Sequence, residues 1–196
     1  QSMFYAFFDQ PERIHRLAGQ AAAVWQQVAQ AQTTLVPAYR GGYAVRQFGL
    51  WAPQRAAWLQ DDTSGMISLG QYRQLFLDAI RAMSIFPYGV LHLHIPSLHL
   101  AETFAQIEGV RAINLYFDSP NRSIQDALPT LRTLQARGMP LILAKDVYSG
   151  FSLDEYAEIL DGLSPRGLSV HLKAESLDEA HNVMEVVNRW GAGKRR

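Results

Sequence analysis

Two histidines one residue apart are the residues of this chain best suited to chemistry. His92 and His94 lie inside the apolar run from Gly89 to Ile95, which is typical of a buried β-strand. Because side chains alternate along a strand, both imidazoles project from one face. Imidazole transfers protons near neutral pH and binds metal ions through a ring nitrogen. The spacing therefore indicates a site, although core histidines hydrogen-bonded to neighbouring strands would give the same pattern.

The elements that must position this pair form a regular alternation after residue 88. Helices are predicted first from Asp9 to Gln32 and from Ser68 to Ile85, with a possible strand over Tyr43–Phe48 between them. Four units then follow, each a strand and its helix: 89–95 with 97–107, 111–117 with 123–137, 140–145 with 152–162, and 167–172 with 176–190. Successive βα units predict a parallel sheet covered by helices.

Composition excludes several classes of protein. The 196 residues are 48% hydrophobic with a formal net charge of zero, which predicts a single domain over 1–196 and gives no general attraction to nucleic acid. The absence of cysteine excludes disulfides, thiolate metal ligands and cysteine nucleophiles. No apolar run approaches the roughly 18 residues of a membrane span. We therefore expect a cytoplasmic protein that binds neither membranes nor nucleic acid.

Three of the predicted strands have one apolar face and one face that becomes polar towards the carboxyl end. In a closed βα barrel the apolar face packs against the outer helices, and the other lines the mouth where active sites lie. The pattern favours an α/β fold of the TIM-barrel type. Eight units typically need about 250 residues, so we expect a partial barrel of four to five parallel strands with outer helices, lacking its first three units. The polar residues placed at its mouth are His92, His94, Asn114, Tyr116, Asp118, His171 and Lys173.

The stretch from Asp61 to Phe76 resembles the corresponding segment of the uroporphyrinogen decarboxylase superfamily, which includes cobalamin-dependent methyltransferases. The His92–His94 strand, the segment Glu108–Leu115 and the segment Leu163–Leu168 are also similar to its later βα units. The resemblance extends from about Phe4 to Trp190 and implies the carboxyl-terminal part of a TIM barrel.

For the decarboxylases, the resemblance implies removal of acetate carboxyls from a tetrapyrrole without metal or cofactor. The resemblance implies that Asp62 and His171 correspond to polar residues of that family. Lys173 and Arg46 would hold substrate carboxylates, and an imidazole would donate the proton. The predicted catalytic residues are His92, His94, His171 and Asp118, and the predicted substrate-binding residues are Arg46, Asp62, Asn114, Tyr116 and Lys173.

Two alternatives remain open. The methyltransferases hold zinc with a His-x-Cys strand and a later cysteine; here His92 matches the histidine and His94 stands at the cysteine position. His171 would then complete a three-histidine zinc site with an open fourth position. The other alternative is a non-catalytic assembly module, because a partial barrel leaves two open sheet edges. We expect such a chain to form a homo-oligomer or to associate with a missing amino-terminal half.

Overall fold

The computed structural model describes residues 2–45, 47–118, 123–145 and 150–193. In chain order its main elements are α1 (Ser2–Asp9), α2 (Pro11–Leu35), β1 (Tyr43–Val45), β2 (Leu50–Ala52), β3 (Ala56–Gln60), α3 (Leu69–Leu75), α4 (Leu77–Met83), β4 (Tyr88–His94), α5 (Ala101–Phe104), β5 (Val110–Phe117), α6 (Ile124–Ala136), β6 (Leu141–Lys145), α7 (Leu153–Gly162), β7 (Leu168–Val170) and α8 (Leu177–Gly193). Two 3-10 turns, Asp62–Met66 and Ile95–Leu100, follow β3 and β4.

The five strands β3 to β7 form one parallel sheet in sequential order. Sequential parallel strands joined by right-handed crossovers place their connecting helices on a single face of the sheet. This mixed α/β arrangement is consistent with a partial barrel, and the five strands do not close into a ring.

The apolar face predicted from the sequence packs against the helices. Leu91 and Leu93 of β4 and Ile113 and Leu115 of β5 are fully buried and belong to the main core cluster. Burial of each such side chain contributes about 1.5–3 kcal/mol relative to exposure. This packing fixes the alternation of the strands, so His92, His94, Asn114 and Tyr116 must point to the opposite face.

The hairpin of β1 and β2 lies against the amino-terminal part of that opposite face. Val45 and Ala52 of the hairpin, together with Val90 and Ile142 of the sheet, line a cavity of about 400 Å³. The polar residues of the opposite face lie beyond this cavity, at the carboxyl ends of the strands.

Several details differ from the sequence predictions, including the helix predicted over 97–107, which is the 3-10 turn Ile95–Leu100 followed by the four-residue α5. The predicted strand Tyr43–Phe48 is half of an antiparallel hairpin, and the fifth parallel strand is β3, which the hydrophobic pattern did not show. The helix predicted from Ser68 to Ile85 is interrupted at Phe76, whose backbone leaves helical geometry (φ −129°) and whose ring packs edge-on against Phe7. The last strand is shorter than predicted, and His171 follows it directly. Within the described residues, no helix is both long and apolar enough to cross a membrane.

Candidate metal centre

The two histidines lie at the carboxyl ends of the central strands. In the parallel register Gln60 of β3 pairs with His92, His92 pairs with Asn114 of β5, and His94 pairs with Tyr116. This is the edge at which open and closed α/β sheets place their ligand sites. The sheet therefore gathers side chains from three strands around the pair.

His92 is buried and held in one tautomer. Its Nδ1 lies 2.5 Å from Oδ1 of Asn114, and the amide of Asn114 is oriented by its own donation to the carbonyl oxygen of Ile142 at 2.8 Å. Because Oδ1 only accepts, His92 Nδ1 donates and Nε2 keeps its lone pair. Burial lowers the pKa of His92 despite the hydrogen bond to Asn114. The ring is therefore neutral at pH 7 with Nε2 available as an acceptor or ligand.

His94 is oriented in the same way by a carboxylate. Its Nδ1 lies 2.6 Å from Oδ2 of Asp118, which can only accept when ionised. Donation from Nδ1 to Asp118 turns His94 Nε2 towards His92. A histidine whose second nitrogen donates to a carboxylate or carbonyl is the usual arrangement in metal sites, because it fixes the ring and raises the basicity of the ligand nitrogen.

Three acceptor atoms converge at one point, and they are Nε2 of His92, Nε2 of His94 and Oδ1 of Asp62. His92 Nε2 and His94 Nε2 are 3.2 Å apart, and Oδ1 of Asp62 lies 3.1 Å from His94 Nε2. With both Nδ1 atoms donating elsewhere, the three atoms leave a point where a proton or a metal ion can be shared between them. Atoms bound about 2.0–2.1 Å from a tetrahedral zinc ion lie roughly 3.3–3.4 Å apart, close to both observed distances. The ligand atoms of Asp62, His92 and His94 all lie within 4.8 Å of one another, so the residues fit a metal ion.

Asp62 reaches this position from the 3-10 turn after β3. Both of its carboxylate oxygens accept hydrogen bonds from Nε2 of Gln60, at 2.9 and 2.8 Å. The side chain of Asp62 is about half exposed, whereas that of His94 is only 22% exposed. The cluster is consequently open to solvent on the side of Asp62.

Aromatic rings surround the two imidazoles. The indole of Trp58 lies 5.4 Å from the ring of His92, and the phenol ring of Tyr116 lies 5.4 Å from His92 and 5.6 Å from His94. These rings restrict the rotation of both imidazoles and exclude water from the buried side of the cluster. We expect this to strengthen electrostatic interactions at the open side.

The structure brings together five of the predicted site residues and places others elsewhere. His92, His94, Asp62, Asn114 and Asp118 form one hydrogen-bonded network, and Tyr116 packs against it. Asn114 and Asp118 each accept a hydrogen bond from the Nδ1 of an imidazole and so orient His92 and His94.

His171 and Lys173 lie apart from this network. His171 follows β7, which is three strands from β4 in the sheet order, and it is absent from the group of ligand atoms that lie within 4.8 Å of one another among the described residues. The third candidate ligand is therefore Asp62, and the predicted three-histidine set is not assembled. Lys173 is exposed and forms an ion pair with Glu175 at 2.6 Å. Arg46 lies outside the described residues.

Sequence reasoning missed two residues of the site. Gln60 holds Asp62, and Trp58 contacts His92. Both belong to β3, and their alternate positions 58 and 60 would have indicated a shared face once that strand was recognised.

Comparison of the chain with protein-family models, curated proteins and solved structures finds no match. Function must therefore be inferred from the geometry of the cluster. Its main property is a set of three converging acceptor atoms backed by two oriented hydrogen bonds.

Proposed function

We propose that His92, His94 and Asp62 bind a divalent metal ion, with zinc as the best match, at the mouth of a partial βα barrel. The observation that carries this proposal is the 3.2 Å approach of two Nε2 atoms whose Nδ1 atoms both donate to other acceptors. Two imidazoles and a carboxylate are a ligand set that zinc accepts in catalytic sites, with a further position left for water or substrate.

The reaction class we propose is activation of a nucleophile, as in the zinc-dependent corrinoid methyltransferases that the sequence resembles. A bound divalent ion would act there as a Lewis acid and lower the pKa of a coordinated thiol or water. Asn114 and Asp118 keep both Nε2 atoms directed at the ion, and Tyr116 holds the ring planes. Replacement of one thiolate by the neutral imidazole of His94 leaves more positive charge on the ion, which favours Lewis-acid chemistry.

Metal analysis of the purified protein tests this proposal. We expect one zinc ion per chain after incubation with zinc and removal of excess metal, and loss of that ion in His94→Ala and in Asp62→Asn. His181→Ala is the matched control, because His181 is an exposed histidine on α8 outside the cluster. A wild-type chain that retains no metal, or a His94→Ala variant that retains it fully, would contradict the proposal.

A second candidate is metal-free acid–base chemistry of the decarboxylase type. It is favoured by the contact between Asp118 and His94, in which a carboxylate orients an imidazole whose other nitrogen faces the open side. This candidate predicts that a porphyrinogen binds in the presence of a chelator and that Asp118→Asn weakens the binding. Failure of the wild-type chain to bind any porphyrinogen under those conditions would exclude it.

The sheet also favours association with further βα units. Among the described strands, β3 and β7 each pair with only one strand of the sheet. Exposed parallel edges favour pairing with another chain or segment. Sedimentation would show this association as a concentration-dependent mass, and a monodisperse monomer would contradict it.

A further inference from the structure

A second polar cluster lies behind Asp62 and outside the proposed ligand set. The hydroxyl of Tyr72, a fully buried residue of α3, donates to Oδ2 of Asp61 at 2.6 Å. The ring of Tyr72 packs edge-on against Phe104 at 5.0 Å between centroids. Asp61 is therefore attached to a rigid part of the core, and it directly precedes Asp62.

The 3-10 turn Asp62–Met66 also contacts the 3-10 turn Ile95–Leu100, which follows His94. Ser64 Oγ lies 2.7 Å from the carbonyl oxygen of Asp61 and 2.7 Å from Oγ of Ser97, and both serines are buried. A Cβ atom at Gly65 would lie 2.6 Å from Cβ of Pro96, so the two turns are in close contact there.

The side chain of His99 forms a third contact between the two 3-10 turns. Nε2 of His99 lies 3.0 Å from the carbonyl oxygen of Ile67, and Nδ1 lies 3.0 Å from that of Pro96. The backbone on both sides of Asp62 is thus fixed, and its carboxylate contacts Gln60 and His94. We therefore expect the backbone contacts to help set the position of that carboxylate.

We propose that Tyr72 is a positioning residue, which holds Asp61 and thereby places the Asp62 carboxylate within reach of His94. This inference deepens the proposed metal centre and rests on it for its effect on metal affinity. Tyr72 touches neither the ion site nor the imidazoles. Its hydroxyl acts through one peptide unit on the ligand that follows.

Tyr72→Phe is the test variant, because it removes the hydroxyl and keeps the ring that packs on Phe104. Loss of supporting contacts around a metal ligand typically costs about 10- to 100-fold in affinity. We expect Co²⁺ titration to show a loss in that range, together with weaker visible absorption bands as the coordination geometry is distorted. Asp61→Asn retains an acceptor for the Tyr72 hydroxyl, so we expect it to lose less Co²⁺ affinity than Tyr72→Phe does.

Two further variants separate positioning from general destabilisation. Tyr156→Phe alters a partly buried tyrosine of α7 away from the cluster, and we expect no change in Co²⁺ affinity. Ser97→Ala loosens the opposite anchor of the same turn, and it should weaken Co²⁺ binding in the same direction as Tyr72→Phe. If Tyr72→Phe lowers the urea midpoint but binds Co²⁺ with wild-type affinity and spectrum, Tyr72 has only a structural role and the inference is wrong.

A measurement without metal distinguishes failure of the inference from failure of the metal centre. In the metal-free protein, ¹⁵N NMR of the imidazoles should show Tyr72→Phe shifting His94 Nε2, which contacts Asp62, while His92 Nδ1 keeps its wild-type shift. An unchanged His94 signal would overturn the positioning role. If the wild type binds no Co²⁺ but the His94 signal shifts, the positioning role stands and the metal centre fails.

Discussion

Replacement of Asn114 by leucine tests the network beneath the histidine pair. Asn114 is fully buried, accepts from His92 Nδ1 and donates to the carbonyl oxygen of Ile142. Leucine has a similar size but neither function, so two buried polar groups lose their partner. Each such loss costs about 1–3 kcal/mol, so we expect the free energy of unfolding to fall by about 2–6 kcal/mol. The free energy of unfolding of single domains is roughly 5–15 kcal/mol, so over most of this range the variant should remain folded.

Urea unfolding at pH 7 with a chelator measures this loss independently of any metal. A double-mutant cycle with His92→Leu isolates the bond between the two side chains. Asn114→Leu should cost at least about 1 kcal/mol less once His92 is absent, because no imidazole N–H is then left unpaired. If Asn114→Leu costs the same with and without His92, the two side chains are not coupled, and the tautomer assigned to His92 loses its support.

Three further predictions concern other parts of the chain. Gly109→Ala should destabilise the protein by about 1–3 kcal/mol in urea unfolding, because φ is +89° there and the added Cβ would lie 2.6 Å from the carbonyl oxygen of Ser84. Burial acts to raise the pKa of Glu155, but the hydrogen bond from Lys145 and those of its helix cap lower it overall. The ionised Glu155 therefore stabilises the fold at pH values above its unfolded pKa near 4.5, and this stabilisation is lost as the pH falls through the lower pKa of the folded state. The urea midpoint of Glu155→Gln should accordingly vary less between pH 6 and pH 3 than the urea midpoint of the wild type. His171→Ala should leave zinc affinity unchanged, and a loss of about tenfold or more would return His171 to the ligand set.

The location of the histidine pair could be predicted because it depends only on alternation along one strand. An apolar run with imidazoles at positions 92 and 94 fixes their shared face, and packing of Leu91 and Leu93 against the helices confirms it. The neighbours Asn114 and Tyr116 followed from the same reasoning applied to β5. The βα order predicts that β4 and β5 are parallel neighbours, and the structure adds the register that pairs Asn114 with His92 and Tyr116 with His94.

The partner at Asp62 could be predicted only in part. Family resemblance singled out the segment around Asp62, but contact with His94 depends on β3, and this strand of five residues is neither long nor alternating in polarity. Its carboxyl end pairs Gln60 with His92, and that register delivers the next turn to the cluster. Without β3, nothing in the sequence distinguishes Asp62 from His171 as the third ligand.

The structure nevertheless leaves His171 out of the ligand set. His171 follows β7, which is three strands from β4 in the sheet order. Among the described residues, the ligand atoms that lie within 4.8 Å of one another are those of Asp62, His92 and His94.

The proposed metal centre and the acid–base alternative differ in which cation satisfies the same three atoms. Asn114 and Asp118 both take an Nδ1 proton, so His92 Nε2, His94 Nε2 and Asp62 Oδ1 face one another as acceptors. A proton can bridge only two of them at a time, whereas a divalent ion binds all three at once. A proton donor needs only one oriented imidazole, and His94, oriented by Asp118, supplies it. The second imidazole, His92, is buried and oriented by its own amide, and it directs Nε2 at the same point, which supports the proposed metal ion.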